Sequence, residues 1–148
     1  MFPITTILHP TDFSPPSEHA FNVACSLARD HGSRVIVLHV AELPLSAPGG
    51  AMIHPPPGGI REAIREQLHT VQAPDAKIPI EHLLSEGDPA TEILRVAQES
   101  QCDWIVMGIH GRSGLARLLM GSVAEQIVRK ALCPVLIVKT PVAEKPSS

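Results

Sequence analysis

Strand-like and helix-like segments alternate from one end of the chain to the other, and that alternation predicts an α/β fold on an open, five-stranded parallel sheet with four helices. Two further observations support it. Four of the five strand-like runs are short and almost wholly apolar or β-branched, as strands covered on both faces must be. The hydrophobic fraction is 44% but the aromatic fraction only 3%, so the core is one of Val, Ile, Leu and Ala rather than of rings.

Taken in order, Ile4–Leu8 (ITTIL) reads as the first strand. Ser14 and Pro15 supply an N-cap and first turn, Ala20, Phe21, Ala24, Leu27 and Ala28 recur at helical spacing, and Gly32 stops that helix. Val35–Leu38 is the second strand. The stretch 44–59, PLSAPGGAMIHPPPGG, holds five prolines and four glycines in sixteen residues and reads as a surface loop. Ile60, Ile64, Leu68 and Val71 mark the second helix, with Arg61, Glu62, Arg65 and Glu66 outside. Ile78–Leu84 alternates and carries Pro79, which places this third strand at a sheet edge. Asp88-Pro89 opens the third helix, with Ala90, Ile93, Leu94 and Ala97 inward. Trp104–Met107 is the fourth strand and Val135–Val138 the fifth. Between them Val123, Ile127 and Ala131 stripe the last helix, which Cys133-Pro134 ends. There is no internal repeat. Residues 1–140 read as one domain and 141–148 as a flexible tail.

Composition excludes several functions. At 148 residues the chain can bury a core without staples. A net charge of -3 offers no basic field to DNA or an anionic membrane, and few rings are present to stack single-stranded bases. Neither nucleic acid nor membrane is expected as a partner. Cys25, Cys102 and Cys133 lack metal-type spacing and read as reduced thiols in or near the core. No apolar run approaches the roughly 18 residues that span a bilayer. MFPITTILHPTDF lacks a basic n-region and a small-residue cleavage site, so a cytoplasmic location is expected.

In an open parallel sheet, ligands sit at the carboxyl ends of the strands, where the strand order reverses. The residues directly after each strand are therefore the informative ones: His9 to Ser14, His39-Val40, and Gly108 to Gly114. Met120-Gly121-Ser122 then opens the last helix. Glycines after a strand let the backbone approach a ligand, and N–H groups at a helix N-terminus attract an anion. Charge-assisted hydrogen bonds are worth about 1.5–3 kcal/mol each, and micromolar binding needs about 8 kcal/mol. Phosphate contacts alone would not make a nucleotide site. Neither G-x-x-x-x-G-K-[ST] nor G-x-G-x-x-G occurs, and Gly111-Arg112-Ser113-Gly114 misses the G-x-S-x-G elbow.

Gly108-x2-Gly111-x9-Gly121-Ser122 matches the signature of the ATP-binding branch of the universal stress protein family. The surrounding IVMGIHGRSGLARLLMGSVAEQIVRKALCPVLIVK resembles that family, as do ILHPTDFS, VIVLHV and SEGDPATEIL. The resemblance covers Met1 to Lys139 apart from the Pro/Gly loop. It departs at Phe13, where many members have glycine, and at Pro15-Pro16.

The resemblance implies a Rossmann-like, adenine nucleotide α-hydrolase-like sheet of order 3-2-1-4-5, and a homodimer along the last strand, Val135–Val138. Carried over by position, Gly108, Gly111, Gly121, Ser122 and Val123 would hold ribose and phosphates. Asp12 would reach the ribose or a divalent ion (Mg²⁺ or Mn²⁺) bound with the nucleotide, and Val40 would pair with adenine through its backbone. Thr11, Met107, His110 and Arg112 complete the candidate contacts. The nucleotide is ATP, with AMP and ADP left open.

Each residue also has a plainer reading. Ser122 with Glu125 forms S-x-x-E, a capping box. Gly108 and Gly111 fit a tight strand exit, and Asp12 a turn or cap. His9, His39 and His110 crowd one rim, but no ligand spacing demands a metal. Arg112 and Arg117 read as solvated or as partners of the terminal phosphate. The leading expectation is a stress-response binding or sensing module whose nucleotide occupancy alters the dimer or partner surface. The rival is a slow ATPase or nucleotidyl-transfer enzyme, for which Asp12, His110 and Arg112 are the candidate groups.

Overall fold

The computed structural model describes residues 3–42, 58–111 and 121–141. Arg112, Arg117, the Pro/Gly segment up to residue 57, the His110 side chain and the tail beyond residue 141 lie outside the described residues. The elements run β1 (Thr6–Pro10), α1 (Pro15–His31), β2 (Arg34–Ala41), α2 (Gly58–His69), β3 (Ile80–Glu86), α3 (Pro89–Ser100), β4 (Trp104–Gly111), α4 (Ser122–Lys130) and β5 (Val135–Pro141). All strand pairs are parallel, in the order β3-β2-β1-β4-β5. The predicted fold class and strand order are both found.

Alternation along the central strands sorts side chains into two layers, because successive β residues face opposite sides of a sheet. Ile7, Val35, Val37 and Val106 join Ala20, Phe21, Ala24 and Ala28 of α1, with Leu68 of α2. Leu8, Ile36, Leu38, Ile105 and Met107 join Ala90, Ile93 and Val96 of α3, with Ala124 and Ile127 of α4. The caps read from the sequence are in place on α1 and α3. Ser14 accepts the N–H of Ser17, Asp88 accepts that of Thr91, and Gly32 closes α1.

Several boundaries differ from the sequence reading, each for a local reason. The first strand begins at Thr6, because the carboxylate of Asp103 takes the amides of Thr5 and Thr6 at 2.8 and 3.0 Å. It runs on through His9 to Pro10. The third strand lies at the sheet edge as expected but begins at Ile80, leaving Pro79 outside it. Ile60 is 47% exposed, so the inward stripe of α2 reduces to Leu68 with support from Val71. The last helix ends at Lys130, with Ala131 as its C-cap.

The largest difference falls on the glycine segment. β4 continues four residues past Met107, with Gly108 opposite Val138, His110 opposite Thr140 and Gly111 opposite Pro141. Gly108 and Gly111 are therefore strand residues and not a turn after the strand. Pairing with β5 extends the ladder beyond the apolar run, a tertiary effect that local propensity does not reveal.

Candidate functional site

β1 and β4 are neighbours in the sheet, while the chain runs from β1 to β2 on one side and from β4 to β5 on the other. The order therefore reverses between β1 and β4, and a cleft opens above their carboxyl ends. Its volume is about 370 Å³, within the range of small-molecule sites. Of the candidate residues, Thr11, Asp12, Val40, Met107, Gly108, Gly121, Ser122 and Val123 line it. Gly111 ends β4, while Arg112 and the side chain of His110 lie outside the described residues. His39, which the sequence placed on the rim, lines it too, as do Leu38, Glu42, Pro89 and Ile93, to which the sequence gave no ligand role.

The floor is held by the loop after β1. The Thr11 N–H donates to the Leu38 carbonyl at 2.8 Å, and His39 Nδ1 donates to the Thr11 carbonyl at 2.8 Å. Asp12 is the hub of the next turn. Its carboxylate accepts from Ser14 N at 3.0 Å and Ser17 Oγ at 2.7 Å. Burial pushes the Asp12 carboxyl upward, but these bonds outweigh it and hold the group below its ordinary value. Asp12 thus has the turn role and stands on the rim as well.

Phe13 is the unexpected member. It adopts φ +64, the left-handed region that suits glycine, and its ring lies 4.4 Å from that of His39. A left-handed conformation costs a bulky residue about 1–2 kcal/mol. The sequence marks this position only through the departure from the family's glycine.

The wall opposite is the start of α4. Gly121 is its N-cap, at φ 85 and ψ 149, and makes no side-chain capping bond. That conformation is nearly confined to glycine. Ser122 is already the first helical residue, so the predicted capping box does not form. Its hydroxyl sits one position too late to serve as the cap. The first-turn residues Ser122, Val123 and Ala124 border the cleft, where the helix dipole is positive.

Gly108 has a different reason to be glycine. A β-carbon there would stand 2.2 Å from the Pro16 carbonyl oxygen and 3.2 Å from the Ala20 side chain. Close packing of α1 on β4 demands glycine here, whether or not a ligand approaches.

Val40 offers its backbone. The Leu38 carbonyl points toward β1, where it accepts from Thr11, and the Ala41 carbonyl points toward β3, where it accepts from Gly87. By two-residue alternation the Val40 N–H and carbonyl point toward β1, beyond its last residue, Pro10. They face the cleft.

His9 turns away from the rim into the core. His9 is fully buried in the α1 layer, its ring 5.5 Å from that of Phe21, with Nδ1 donating to the Val106 carbonyl at 2.9 Å. Burial lowers its pKa to about 4, against smaller opposing effects of that bond and of Asp12. No cluster of three His, Cys, Asp or Glu among the described residues is placed to hold a metal ion. No helix among the described residues is long and apolar enough to cross a membrane.

Comparison with known proteins gives the chain's relatives. The model of the universal stress protein family matches residues 3–139. The universal stress protein MJ0531 of Methanocaldococcus jannaschii is 34% identical over 142 residues, spanning 93% of this chain and 84% of that one. The solved structure of protein MJ0577 from the same organism is similar with a TM-score of 0.72 at 25% identity, over 96% of this chain and 100% of that one. The universal stress protein of Archaeoglobus fulgidus, solved in complex with dAMP, is similar with a TM-score of 0.62 at 25% identity, over 94% and 100%.

Proposed function

The chain belongs to the universal stress protein family, and on that footing we propose that it binds an adenine nucleotide, ATP foremost, in the cleft between the ends of β1 and β4. One observation carries this reading. The backbone edge of Val40 and the first turn of α4 at Gly121–Ser122 converge on a single cleft, one suited to the edge of a base and the other to phosphate. The dAMP complex of the Archaeoglobus fulgidus relative supports the same class of ligand.

The role of each group follows from its chemistry. Val40 pairs with adenine through N–H and carbonyl, and Leu38 and Ile93 give the base apolar surface. Thr11 and Asp12 stand nearest the ribose. Gly121, Ser122 and Val123 hold phosphate, and Gly111, His110 and Arg112 are proposed as its further contacts. Asp12 is the residue that would help hold a Mg²⁺ or Mn²⁺ bound with the triphosphate, where the ion would neutralise phosphate charge.

We assign the protein a cytoplasmic, stress-responsive binding role, in which occupancy alters a homodimer or the choice of partner. β5 supports the homodimer, because it forms one edge of the sheet and offers its ladder to a second copy. The Asp12 carboxylate already accepts from Ser14 N and Ser17 Oγ, which favours a positioning role over proton abstraction.

Calorimetry with ATP, ADP and AMP tests this reading. Heat of binding at micromolar to millimolar ligand is expected, and its absence for all three would overturn the proposal. Phosphate release faster than about one per minute would move the protein to the enzymes, whose ordinary turnover is far quicker.

A further inference from the structure

At the opposite end of the sheet two thiols lie in contact. Cys102 precedes β4, Cys133 precedes β5, and their sulfur atoms are 3.8 Å apart across 31 residues of sequence. The backbone fixes both. Gln101 caps α3 in the left-handed region, and the Cys102 N–H donates to the Ala97 carbonyl. The Pro134 carbonyl accepts from Ile105 at 3.0 Å, which sets Cys133 beside the start of β4. The β4–β5 pairing therefore brings the two cysteine backbones side by side.

A solvent-open hollow of about 430 Å³ reaches both, lined by Leu94, Gln98, Gln101, Lys130 and Leu132. Cys133 is half-buried, Leu132 beside it is 91% exposed, and Cys102 lies deeper. Access is graded, with one sulfur toward solvent and one behind it.

We propose that Cys102 and Cys133 are an oxidisable pair that closes to an intramolecular disulfide when a peroxide reaches the hollow. The Cys133 thiolate attacks the O–O bond of hydrogen peroxide, giving Cys133 sulfenic acid and, with one proton, water. The Cys102 sulfur then attacks the Cys133 sulfur. The S–S bond forms, the S–O bond breaks, and the departing hydroxide leaves as water with the Cys102 proton. Two thiols lose two electrons and the peroxide becomes two waters.

A disulfide is about 2.05 Å long, so the sulfurs must close by about 1.8 Å. Side-chain rotation provides most of that in a pair already in contact. Burial first, then the neighbouring Cys133, pushes the Cys102 thiol up to about 12, which leaves the more open Cys133 as the sulfur that meets peroxide first. Cys25, on the buried face of α1 and raised to about 11 by burial, is an internal control.

The test uses the full chain. Reduced protein is treated with hydrogen peroxide, the remaining thiols are alkylated, and the digest is read by mass spectrometry. A peptide pair joining Cys102 to Cys133 and two hydrogens lighter than the thiols is expected, with Cys25 alkylated and the link lost to dithiothreitol. In Cys102→Ser, Cys133 should instead be trapped as sulfenic acid by a dimedone reagent. Conversion of wild-type Cys133 to sulfinic acid with Cys102 still alkylated would overturn the proposal, as would links only between chains.

Discussion

The Pro16 carbonyl oxygen occupies the space into which a side chain on Gly108 would grow, 2.2 Å from where its β-carbon would stand. Backbone, unlike a flexible side-chain tip, cannot step aside cheaply. Gly108→Ala should therefore lift the first turn of α1 off β4 and cost about 1–3 kcal/mol, the usual range for overpacking. Urea denaturation measures this, and a variant as stable as the parent would refute the packing explanation.

Gly121 makes the contrasting prediction. Nothing lies within 4 Å of a β-carbon there, but φ is 85. Gly121→Val should cost stability about 1–2 kcal/mol through backbone strain alone, while turning the start of α4 away from the cleft. Nucleotide binding should fall below detection in calorimetry on folded variant. Retained affinity would detach this helix start from the ligand.

Ser122 separates the capping reading from the binding one. Because Gly121 is the N-cap and Ser122 the first helical residue, Ser122→Ala should change stability by no more than about 0.5 kcal/mol. Asp88→Ala, which removes a true cap, should cost about 1 kcal/mol. The same Ser122 variant should bind nucleotide more weakly. Loss of stability equal to that of Asp88→Ala would restore the capping box.

Phe13 inverts a usual ranking. Alanine normally outperforms glycine in stability, but at φ +64 the penalty belongs to any residue with a β-carbon. Phe13→Ala keeps the strain and loses the contact with His39, whereas Phe13→Gly loses the contact and relieves the strain. Thermal unfolding should place Phe13→Gly above Phe13→Ala, and the reverse order would argue against the left-handed turn.

His9 predicts a pH dependence. Its folded value of about 4 lies below the ordinary 6.5, so between those limits the unfolded chain holds the proton and the folded one does not. Stability from this group is complete above pH 6.5, declines as the pH falls, and levels near 4, a total of about 3 kcal/mol. Asp12 is also depressed but acts in a lower window, below its ordinary 3.8. Denaturant unfolding across pH 7 to 4 measures the decline, and His9→Gln should flatten it. A decline unchanged in that variant would place its origin elsewhere.

Much of this was legible in the sequence, and the exceptions have physical causes. Ser14, Gly32 and Asp88-Pro89 announced helix ends, because caps depend on the residue itself and its nearest neighbours. The reach of β4 through Gly111 was not legible, since it depends on a partner strand twenty-odd residues away. Ser122 misled because S-x-x-E is satisfied by sequence, while the choice between first helical residue and cap depends on φ at Gly121. The cleft was found from strand ends and glycines. Leu38 and Ile93 were missed as lining because apolar strand and helix residues look alike whether they face core or ligand. Gly108 was noticed for one reason and is required for another.

The nine residues of α4 span about 13 Å. Gly121–Ser122 stands at one end, and Cys133 follows three residues beyond the other. A single rigid rod thus joins the cleft to the thiol pair. Thermodynamic linkage between such sites is reciprocal. Whatever factor the Cys102–Cys133 bond applies to nucleotide affinity, the nucleotide must apply to the equilibrium of that bond. The reduction potential of the pair would then report, in millivolts, whether the far end of the sheet is occupied.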